Sequence, residues 1–241
     1  MRSSATPSEA SSGFDGLAAA YDRWYDTPVG RLVDRLEKDA VFALVEPQRG
    51  DLVLDLSCGT GNYALALAQR GFRVVGVDVS EPMLRVARAK ARRGGIALAL
   101  VRADGGALPF RAGAFDLVAV ILGLEFAADP GRALEEVRRI LKPGAPLVVA
   151  ILNRTGLWTL WRRLKRHFVR SVWRHAAFLG LGDLRRLLEE RGFRDLRWRG
   201  AVHFLPVSRR RGVRYLRGWE TAGARWTPGL ATFLAVTGRR G

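Results

Sequence analysis

The sequence predicts an α/β fold in which an open, mainly parallel β-sheet is covered by helices on both faces. Between residues 52 and 152, short runs rich in Val, Leu and Ile alternate with longer segments of helical periodicity. The strand-like runs are almost entirely apolar, which is typical of strands with both faces buried. Ligands of such sheets bind beyond the carboxyl ends of the strands, so the residues that follow each strand are candidates for a functional site.

The elements follow one another in a regular order. Residues 14–45 have helical periodicity, with a break near Thr27–Gly30. The predicted strands of the alternating region are Leu52–Leu56, Val74–Asp78, Ala97–Val101, Leu117–Leu122 and Leu147–Leu152. Helices are predicted between them at Asn62–Arg70, from the N-cap Ser80 to Arg93, and at Pro130–Leu141. After residue 152 we expect helices at Leu157–His175 and Asp183–Arg191, strands at Leu196–Leu205 and Ala231–Thr237, and a basic insertion at residues 206–229.

The composition limits the class of protein. With 241 residues and 48% hydrophobic content, the chain is long enough for one large domain. Cys58 is the single cysteine, so no intrachain disulfide can form, and no Cys/His spacing indicates a zinc site. Residues 1–13 are rich in Ser and Ala and are expected to form a disordered tail. No apolar run is long enough to span a bilayer. We therefore expect a cytoplasmic protein without a metal.

The formal net charge of +17 is distributed unevenly along the chain. Residues 1–150 carry 19 Lys/Arg and 18 Asp/Glu, whereas residues 151–241 carry 21 Lys/Arg and 5 Asp/Glu. The basic second part could attract phosphate, anionic lipid or RNA, or it could be an ordinary solvated surface.

A glycine-rich turn follows the first predicted strand, in the segment from Asp55 to Asn62. Gly59 and Gly61 would let the backbone approach a ligand where a Cβ would collide with it. The pattern also matches the dinucleotide motif G-x-G-x-x-A, but only weakly. Asp55 at the end of the strand would repel a pyrophosphate, whereas it suits a ligand that carries an ammonium group.

Acidic residues also follow the second and third predicted strands. Asp78 could accept hydrogen bonds from both ribose hydroxyls, and Asp104 could accept one from the adenine amino group. Together with Asp55 they indicate a nucleoside ligand that carries cationic groups and no phosphate. S-adenosylmethionine (SAM) has this chemistry, so a nicotinamide oxidoreductase is the weaker alternative.

These motifs in combination resemble those of class I SAM-dependent methyltransferases, in the small-molecule subgroup similar to the enzymes of ubiquinone and menaquinone biosynthesis. The resemblance covers residues 14–155 and is carried by Val53–Asn62, Val75–Ser80, Ala103-Asp104, Leu108–Phe110, Phe115–Val118 and Arg138–Gly144. It implies a Rossmann-like, doubly wound sheet of seven strands, mostly parallel with the last strand antiparallel, plus a helical cap. It also implies a helical lid at residues 14–46, a SAM-binding core at 47–155, and a basic part at 156–241 that completes the sheet and shapes the acceptor pocket.

The resemblance further implies which residues contact SAM. The glycine turn would hold the methionine part, Asp78 the ribose, and Asp104 and its neighbour the adenine. Tyr21 and Tyr25 of the predicted lid could bind the methionine carboxylate or simply pack. The full set is Tyr21, Tyr25, Asp55, Ser57, Cys58, Gly59, Thr60, Gly61, Asp78, Val79, Met83, Asp104, Gly105, Ile121 and Leu122. Ser57 departs from the family, which usually has Gly there.

The acceptor is expected to be a small hydrophobic or amphipathic molecule that receives the methyl group in line with the leaving sulfur. Glu125, after the fourth strand, is the first candidate for a general base, and His175 is the second. Glu125 could instead form an ion pair with Arg132 or with the basic part of the chain. His203 is expected to have an ordinary packing or surface role.

Two alternatives keep SAM but change the function. The basic C-terminal part suggests an RNA methyltransferase, although no recognisable RNA-binding module accompanies it. A SAM-binding protein without turnover is the other alternative. The basic, amphipathic segment at Leu157–His175 and the Trp residues of the same part also suggest transient contact with an anionic membrane surface, or a cap helix with a solvated face.

Overall fold

Seven β-strands and the helices between them make up the described part of the computed structural model, which covers residues 15–45, 48–160, 176–205 and 213–241. The strands are β1 (Leu52–Leu56), β2 (Arg73–Asp78), β3 (Ala99–Arg102), β4 (Leu117–Ile121), β5 (Pro146–Leu152), β6 (Phe193–Ala201) and β7 (Phe233–Arg240). The α-helices are α1 (Ala18–Tyr21), α2 (Pro28–Phe42), α3 (Asn62–Ala68), α4 (Glu81–Arg93), α5 (Pro130–Ile140), α6 (Leu181–Glu190) and α7 (Val213–Trp226). Short 3-10 turns occur at Asp15–Leu17, Asp22–Trp24, Leu124–Phe126 and Pro228–Leu230.

The sheet has the predicted topology. Its strand order is β3-β2-β1-β4-β5-β7-β6. The pairings from β3 to β5 are parallel, and β7 runs antiparallel to both of its neighbours. The prediction of a Rossmann-like, mostly parallel sheet with an antiparallel last strand is therefore confirmed. It follows that β6 runs in the same direction as β1–β5 and ends at the same edge.

Each face of the sheet is covered by its own apolar cluster, as a doubly wound sheet requires. One cluster joins α2 and α3 to the sheet through residues such as Val41, Leu67 and Phe233. The other joins α5 and α6 to the opposite face through residues such as Leu134 and Leu188. Strands β4 and β5 are buried along almost their whole length, because both clusters cover them. Their apolar sequences follow from that position.

Local capping signals explain where the helices begin. The side chains of Thr27, Ser80 and Asp129 accept hydrogen bonds from backbone N–H groups in the first turns of α2, α4 and α5. A proline follows each cap within the first two helical positions, where its missing N–H costs nothing. The break expected near Thr27–Gly30 is therefore the start of α2.

The C-terminal region differs from the prediction in two places. The strand expected at Leu196–Leu205 is β6, which ends at Ala201, because Val202 has a φ of 64° and the chain turns there. The basic insertion expected at residues 206–229 contains helix α7 and a 3-10 turn among its described residues. The predicted tail at 1–13 lies outside the described residues, as does the predicted helix at Leu157–His175 beyond residues 157–160, which are helical. None of the described helices is both long and apolar enough to cross a membrane.

Candidate cofactor site

A cavity of about 820 Å³ lies at the carboxyl ends of β1–β4. Apart from Gly61, every residue predicted to contact the cofactor lines it. The wall also includes residues that were not predicted: Leu56, Asn62, Tyr63, Ala103, Gly106, Ala107, Val120, Gly123, Leu124, Phe126, Ala127, Ala128, Asp129, Arg132 and Ala133. The topology explains the coincidence, because parallel strands deliver the residues that follow them to one edge of the sheet.

Asp78 holds the glycine turn, residues 57–61, against the end of β2. Its Oδ2 accepts the Gly59 N–H at 2.8 Å, and its Oδ1 accepts the Ser80 N–H at 2.9 Å. Burial raises the pKa of this carboxyl, and the two backbone donors oppose that shift. Asp78 therefore fixes the turn, and the lone pairs left on its oxygens are the ones available to ribose hydroxyls.

Gly59 makes the turn open toward the cavity. Its φ is +52°, and a Cβ built on it would meet no protein atom within 4 Å. A side chain there would fill the space that the ligand needs, so the turn is a cradle that glycine keeps empty. Gly61 has another role, because a Cβ there would lie 3.1 Å from the Ala87 Cβ of α4. It brings the start of α3 close to α4.

Asp55 supplies an unsatisfied acceptor inside the cavity wall. The residue is 2% exposed, and the N–H of Ala64 donates to its carboxylate. The second oxygen, Oδ2, has no hydrogen-bond partner among the described residues. Burial raises the pKa of Asp55 to about 7, and the neighbouring Asp78 adds to the shift. A buried carboxylate with an orphaned oxygen suits a cationic ligand group, which would supply the missing partner.

Ser57 is accommodated by a glycine on the neighbouring strand end. Its φ is +63°, in the left-handed region that favours glycine. A Cβ on Gly123 would lie 2.4 Å from the Ser57 Cβ and 2.5 Å from its Oγ. The side chain that replaces the usual glycine thus occupies space that Gly123 leaves free. Sequence reasoning missed Gly123, since its role depends on the contact between the ends of β1 and β4.

Cys58 is not a nucleophile in this site. Its thiol is buried, and burial together with Asp55 and Asp78 raises its pKa well above the usual range. A protonated thiol is a poor nucleophile at neutral pH. Cys58 instead packs under β2, because a Cβ on Gly76 would be 2.9 Å from its Sγ.

Asp22 ties the N-terminal segment, residues 15–25, to the glycine turn. Its Oδ1 accepts from Thr60 Oγ1 at 2.7 Å and from Asn62 Nδ2 at 3.3 Å, and its Oδ2 accepts from Lys90 Nζ at 2.9 Å. A second contact joins the Ser80 hydroxyl to Asp15 Oδ1 at 2.5 Å. We call the contacts of Asp22 the Asp22 clasp. Sequence reasoning singled out the flanking tyrosines and missed it.

Three tyrosines stand beside the clasp at the cavity wall. The rings of Tyr21 and Tyr25 lie 5.9 Å apart, and Tyr63 of α3 also lines the cavity. Burial raises the pKa values of Tyr25 and Tyr63 well above the usual range, and the nearby carboxyl of Glu37 adds to both shifts. The hydroxyls of Tyr25 and Tyr63 are therefore neutral at physiological pH and can donate hydrogen bonds to a ligand.

The adenine end expected at β3 is more open. Asp104 is exposed, and its Oδ1 accepts the Gly106 N–H at 2.7 Å, which shapes the turn after β3. Met83, at the start of α4, is 2% exposed and lines the cavity. Leu122 after β4 has a φ of 53° and donates its N–H to the Ala150 carbonyl at 2.8 Å.

The structure puts Glu125 behind the cavity wall. Its flanking residues Leu124 and Phe126 line the cavity, but Glu125 is not among the lining residues. It is 2% exposed, and its Oε1 accepts the Leu152 N–H at the end of β5 at 2.7 Å. Burial raises its pKa to about 7. The ion pair considered with Arg132 is not formed, because Arg132 Nε donates to the Gly106 carbonyl instead.

The two histidines considered from the sequence have different outcomes. His175 lies outside the described residues. His203 follows β6, and its Nδ1 lies 3.1 Å from Glu220 Oε1 of α7. Glu220 also accepts the Val202 and His203 N–H groups at 3.0 and 2.7 Å. His203 is thus part of the joint between β6 and α7, outside the cavity. No group of three or more His, Cys, Asp or Glu in the described ranges is placed to hold a metal ion.

Comparison with known proteins agrees with this geometry. Residues 54–149 match the family model described as a methyltransferase domain. A demethylmenaquinone methyltransferase of Thermobifida fusca is 36% identical over 66% of this chain and 67% of its own length. One of Clavibacter sepedonicus is 38% identical over 59% of this chain and 58% of its own length. The alignment thus spans little more than half of that relative.

A solved structure extends the similarity of fold to nearly the whole chain. A SAM-dependent methyltransferase of Thermotoga maritima, described as a possible histamine N-methyltransferase, superposes with a TM-score of 0.76 at 23% identity and covers 97% of this chain and all of its own. The cradle at Gly59, the orphaned oxygen of Asp55 and the three strand-end acids fit SAM as the cofactor. The nicotinamide oxidoreductase and the protein without turnover are set aside. The chain belongs to the class I SAM-dependent methyltransferases, in the type that includes the demethylmenaquinone methyltransferases.

Proposed function

We propose that the chain methylates a small, amphipathic acceptor with a hydrophobic body. Demethylmenaquinone, the substrate named for two of its relatives, is an acceptor of this kind. The observation that carries this proposal is the apolar wall of the cavity at the end of β4. It is formed by Leu124, Phe126, Ala127 and Ala128, which follow the predicted cofactor contacts Ile121 and Leu122. The charged Asp129 and Arg132 also line the cavity. Apolar side chains beside them favour an acceptor that has an apolar ring and polar groups.

The size of the cavity supports a second ligand beside the cofactor. Its volume of about 820 Å³ is near the upper end of the range of about 300–1,000 Å³ for small-molecule sites. The glycine turn and the three acids occupy the side of β1–β3, whereas the apolar wall belongs to the segment after β4. We infer that cofactor and acceptor share the cavity in this arrangement.

SAM, when bound, supplies a methyl group that is already activated by its sulfonium. The protein's contribution is therefore alignment and exclusion of water. In this proposal Asp55 receives the cationic amino acid end, the Gly59 turn accommodates it, Asp78 receives the ribose, and Met83 packs beside the adenine. The three tyrosines close the remaining side, and Tyr25 and Tyr63 present neutral hydroxyls to polar groups of the two ligands.

Glu125 suits a positioning role better than that of a general base. Its carboxylate accepts from the end of β5, and Glu125 is not among the residues that line the cavity. It joins the 3-10 turn at Leu124–Phe126 to the end of β5, and so holds Leu124 and Phe126 in the apolar wall.

The test is incubation of the purified chain with methyl-labelled SAM and an acceptor panel. The panel contains short-chain demethylmenaquinone, in oxidised and reduced forms, histamine, and bulk RNA. We expect label in the organic phase with demethylmenaquinone. Gly59→Val, which should not bind SAM, is the control for label that enters without the active site.

The outcomes separate the substrate classes. Label in the RNA fraction with none in the organic phase would overturn the small-molecule proposal in favour of an RNA methyltransferase. Label in histamine alone would keep a small acceptor but contradict the hydrophobic body. The cytoplasmic location expected from the sequence remains a prediction.

A further inference from the structure

Helix α7 exposes an aromatic stripe to solvent. Tyr215, Trp219 and Trp226 are 58%, 65% and 75% exposed. They stand at positions i, i+4 and i+11 of one helix, so the three rings lie on a single face. Three large exposed aromatic rings in one row are unusual for a surface that only contacts water.

Contacts made by a neighbouring face of α7 prevent the helix from rolling to bury these rings. Leu216, Glu220 and Gly223 form its inward row. Leu216 is 4% exposed and lies in the core cluster on the α2 face of the sheet. Glu220 accepts from the backbone after β6, and a Cβ on Gly223 would lie 2.2 Å from the His203 Cβ. The stripe is therefore held outward by specific contacts.

The charge around the stripe has one sign. Arg225 of α7 is exposed, and its guanidinium lies 5.6 Å from the centre of the Trp226 ring, whereas Arg217 stands on the opposite side of the helix. Glu220, the only acid of α7, is hydrogen-bonded to His203 and to the backbone after β6. Beyond the helix, residues 151–241 contain 21 Lys/Arg against 5 Asp/Glu. The stripe thus belongs to the strongly basic part of the sequence.

The position of α7 connects this surface with the cavity. Glu220 binds the backbone directly after β6, and β6 runs parallel to β1–β5. The helix therefore lies at the carboxyl edge of the sheet, the same edge that holds the cavity.

We propose that the exposed face of α7 docks on an anionic lipid bilayer. Indole and phenol rings suit the boundary between headgroups and acyl chains, and arginines beside them meet lipid phosphate. Binding of α7 to a bilayer does not require methyl transfer. The test of membrane binding is therefore independent of the test of the proposed acceptor.

This surface is narrower than the one that the sequence suggested, which combined the segment at Leu157–His175 with the Trp residues of the basic part. The segment at Leu157–His175 is described only to residue 160, and its Trp158 is 6% exposed and packs against the Trp24 ring at 5.9 Å. Trp158 therefore belongs to the core. The exposed indoles of the described residues stand mainly on α7 instead.

The experiment is flotation of the full chain with vesicles of three parts phosphatidylcholine to one part phosphatidylglycerol, and with pure phosphatidylcholine vesicles, at low and high salt. We expect binding to the anionic vesicles, with a residual apolar component at high salt. Trp219→Ala/Trp226→Ala should weaken the partition by about tenfold or more, because two indoles no longer leave water. The thermal midpoint should change little, because both side chains are exposed.

A charge-matched pair of variants tests the electrostatic part. Arg225→Ala should weaken binding at low salt, whereas Arg93→Ala removes the same charge from the exposed end of α4 and should not. No vesicle binding, or equal binding by the tryptophan variant, would overturn the proposal. Tight RNA binding without vesicle binding would also overturn it, as would a dimer that dissociates when the two tryptophans are replaced.

Discussion

The two parts of the chain carry different kinds of information. Every residue that lines the cavity lies between Tyr21 and Ala133, in the part where acidic and basic residues are nearly balanced. The described residues beyond Leu152 add no residue to the cavity wall, but they complete the sheet and carry the excess charge and the exposed rings of α7. The cofactor site therefore depends on strand ends and backbone geometry. The proposed membrane-binding face of α7 depends instead on exposed side chains and positive charge.

Because the two features lie in different parts of the chain, mutations should affect SAM binding and vesicle binding separately. Substitutions at the glycine turn, at the acids and in the clasp should change SAM affinity and leave vesicle binding unchanged. Substitutions on α7 should do the reverse. The variants below test that separation, in order of decreasing effect.

The largest effect is expected for Gly59→Val, which should abolish SAM binding. The new side chain meets no protein atom within 4 Å, so it would occupy ligand space, and its left-handed φ adds strain of about 1–2 kcal/mol. Calorimetry should detect no SAM binding while the far-UV circular dichroism stays unchanged. Undiminished affinity would contradict the placement of the cofactor beside this turn.

The pH dependence of SAM binding should report on Asp55. Its pKa is about 7 without ligand, and a cationic partner favours the ionised form. Below pH 7, binding must release a proton, so affinity should fall by about tenfold per pH unit. Asp55→Asn should bind weakly and independently of pH over this range. Equal pH dependence in both proteins would mean that another group titrates.

The raised pKa of Asp55 also predicts the direction in which the stability of the SAM-free protein changes with pH. Its pKa is raised from 3.8 to about 7 on folding, so the folded state binds the extra proton in this interval. The contribution of Asp55 to the free energy of unfolding is therefore fully present at low pH and falls as pH rises to about 7. Urea unfolding of Asp55→Asn should lack this part of the decline.

Asp78→Ala should lower SAM affinity by about 1–3 kcal/mol, because it removes acceptors for the ribose and frees the Gly59 and Ser80 N–H groups. Asp104→Ala is the matched control at the neighbouring strand end, where one backbone N–H loses its acceptor. Calorimetry on both variants should find the larger loss at Asp78. A larger loss at Asp104 would contradict the role of the β2 end.

A smaller effect is expected for Asp22→Ala, which opens the clasp to Thr60, Asn62 and Lys90. If residues 15–25 act as a lid, amide exchange there should slow when SAM is added, and the variant should lose this protection. We expect SAM affinity to fall about threefold to tenfold, consistent with loss of one or two hydrogen bonds. Arg23→Ala, at an exposed neighbour, is the control. Unchanged protection on SAM binding would contradict the lid.

The smallest effect on turnover is expected for Glu125→Gln. The amide can still accept from Leu152, and it resembles the protonated acid that a pKa of about 7 makes accessible. The rate of methyl transfer should stay within about twofold, whereas Glu125→Ala should destabilise the fold by about 1–3 kcal/mol through the unpaired Leu152 N–H. A large loss of kcat in Glu125→Gln with unchanged stability would restore Glu125 as a general base.

The sequence by itself determined the α/β architecture and the cofactor. Apolar runs, caps and glycines act locally, so the five parallel strands and the acids that follow them could be read in order, and the family motifs supplied the antiparallel last strand. The predicted end of β6 was wrong by several residues, because the turn at Val202 depends on Glu220 of a later helix.

Only the tertiary structure decided which residues meet across elements. The Ser57–Gly123 contact, the Asp22 clasp and the Glu125 hydrogen bond to Leu152 each join positions far apart in sequence, and none follows from a local pattern. The same holds for the tryptophans, since Trp158 is buried and Trp219 exposed although both lie in the basic part. Burial is a property of what packs above a residue, and that neighbour comes from another part of the chain.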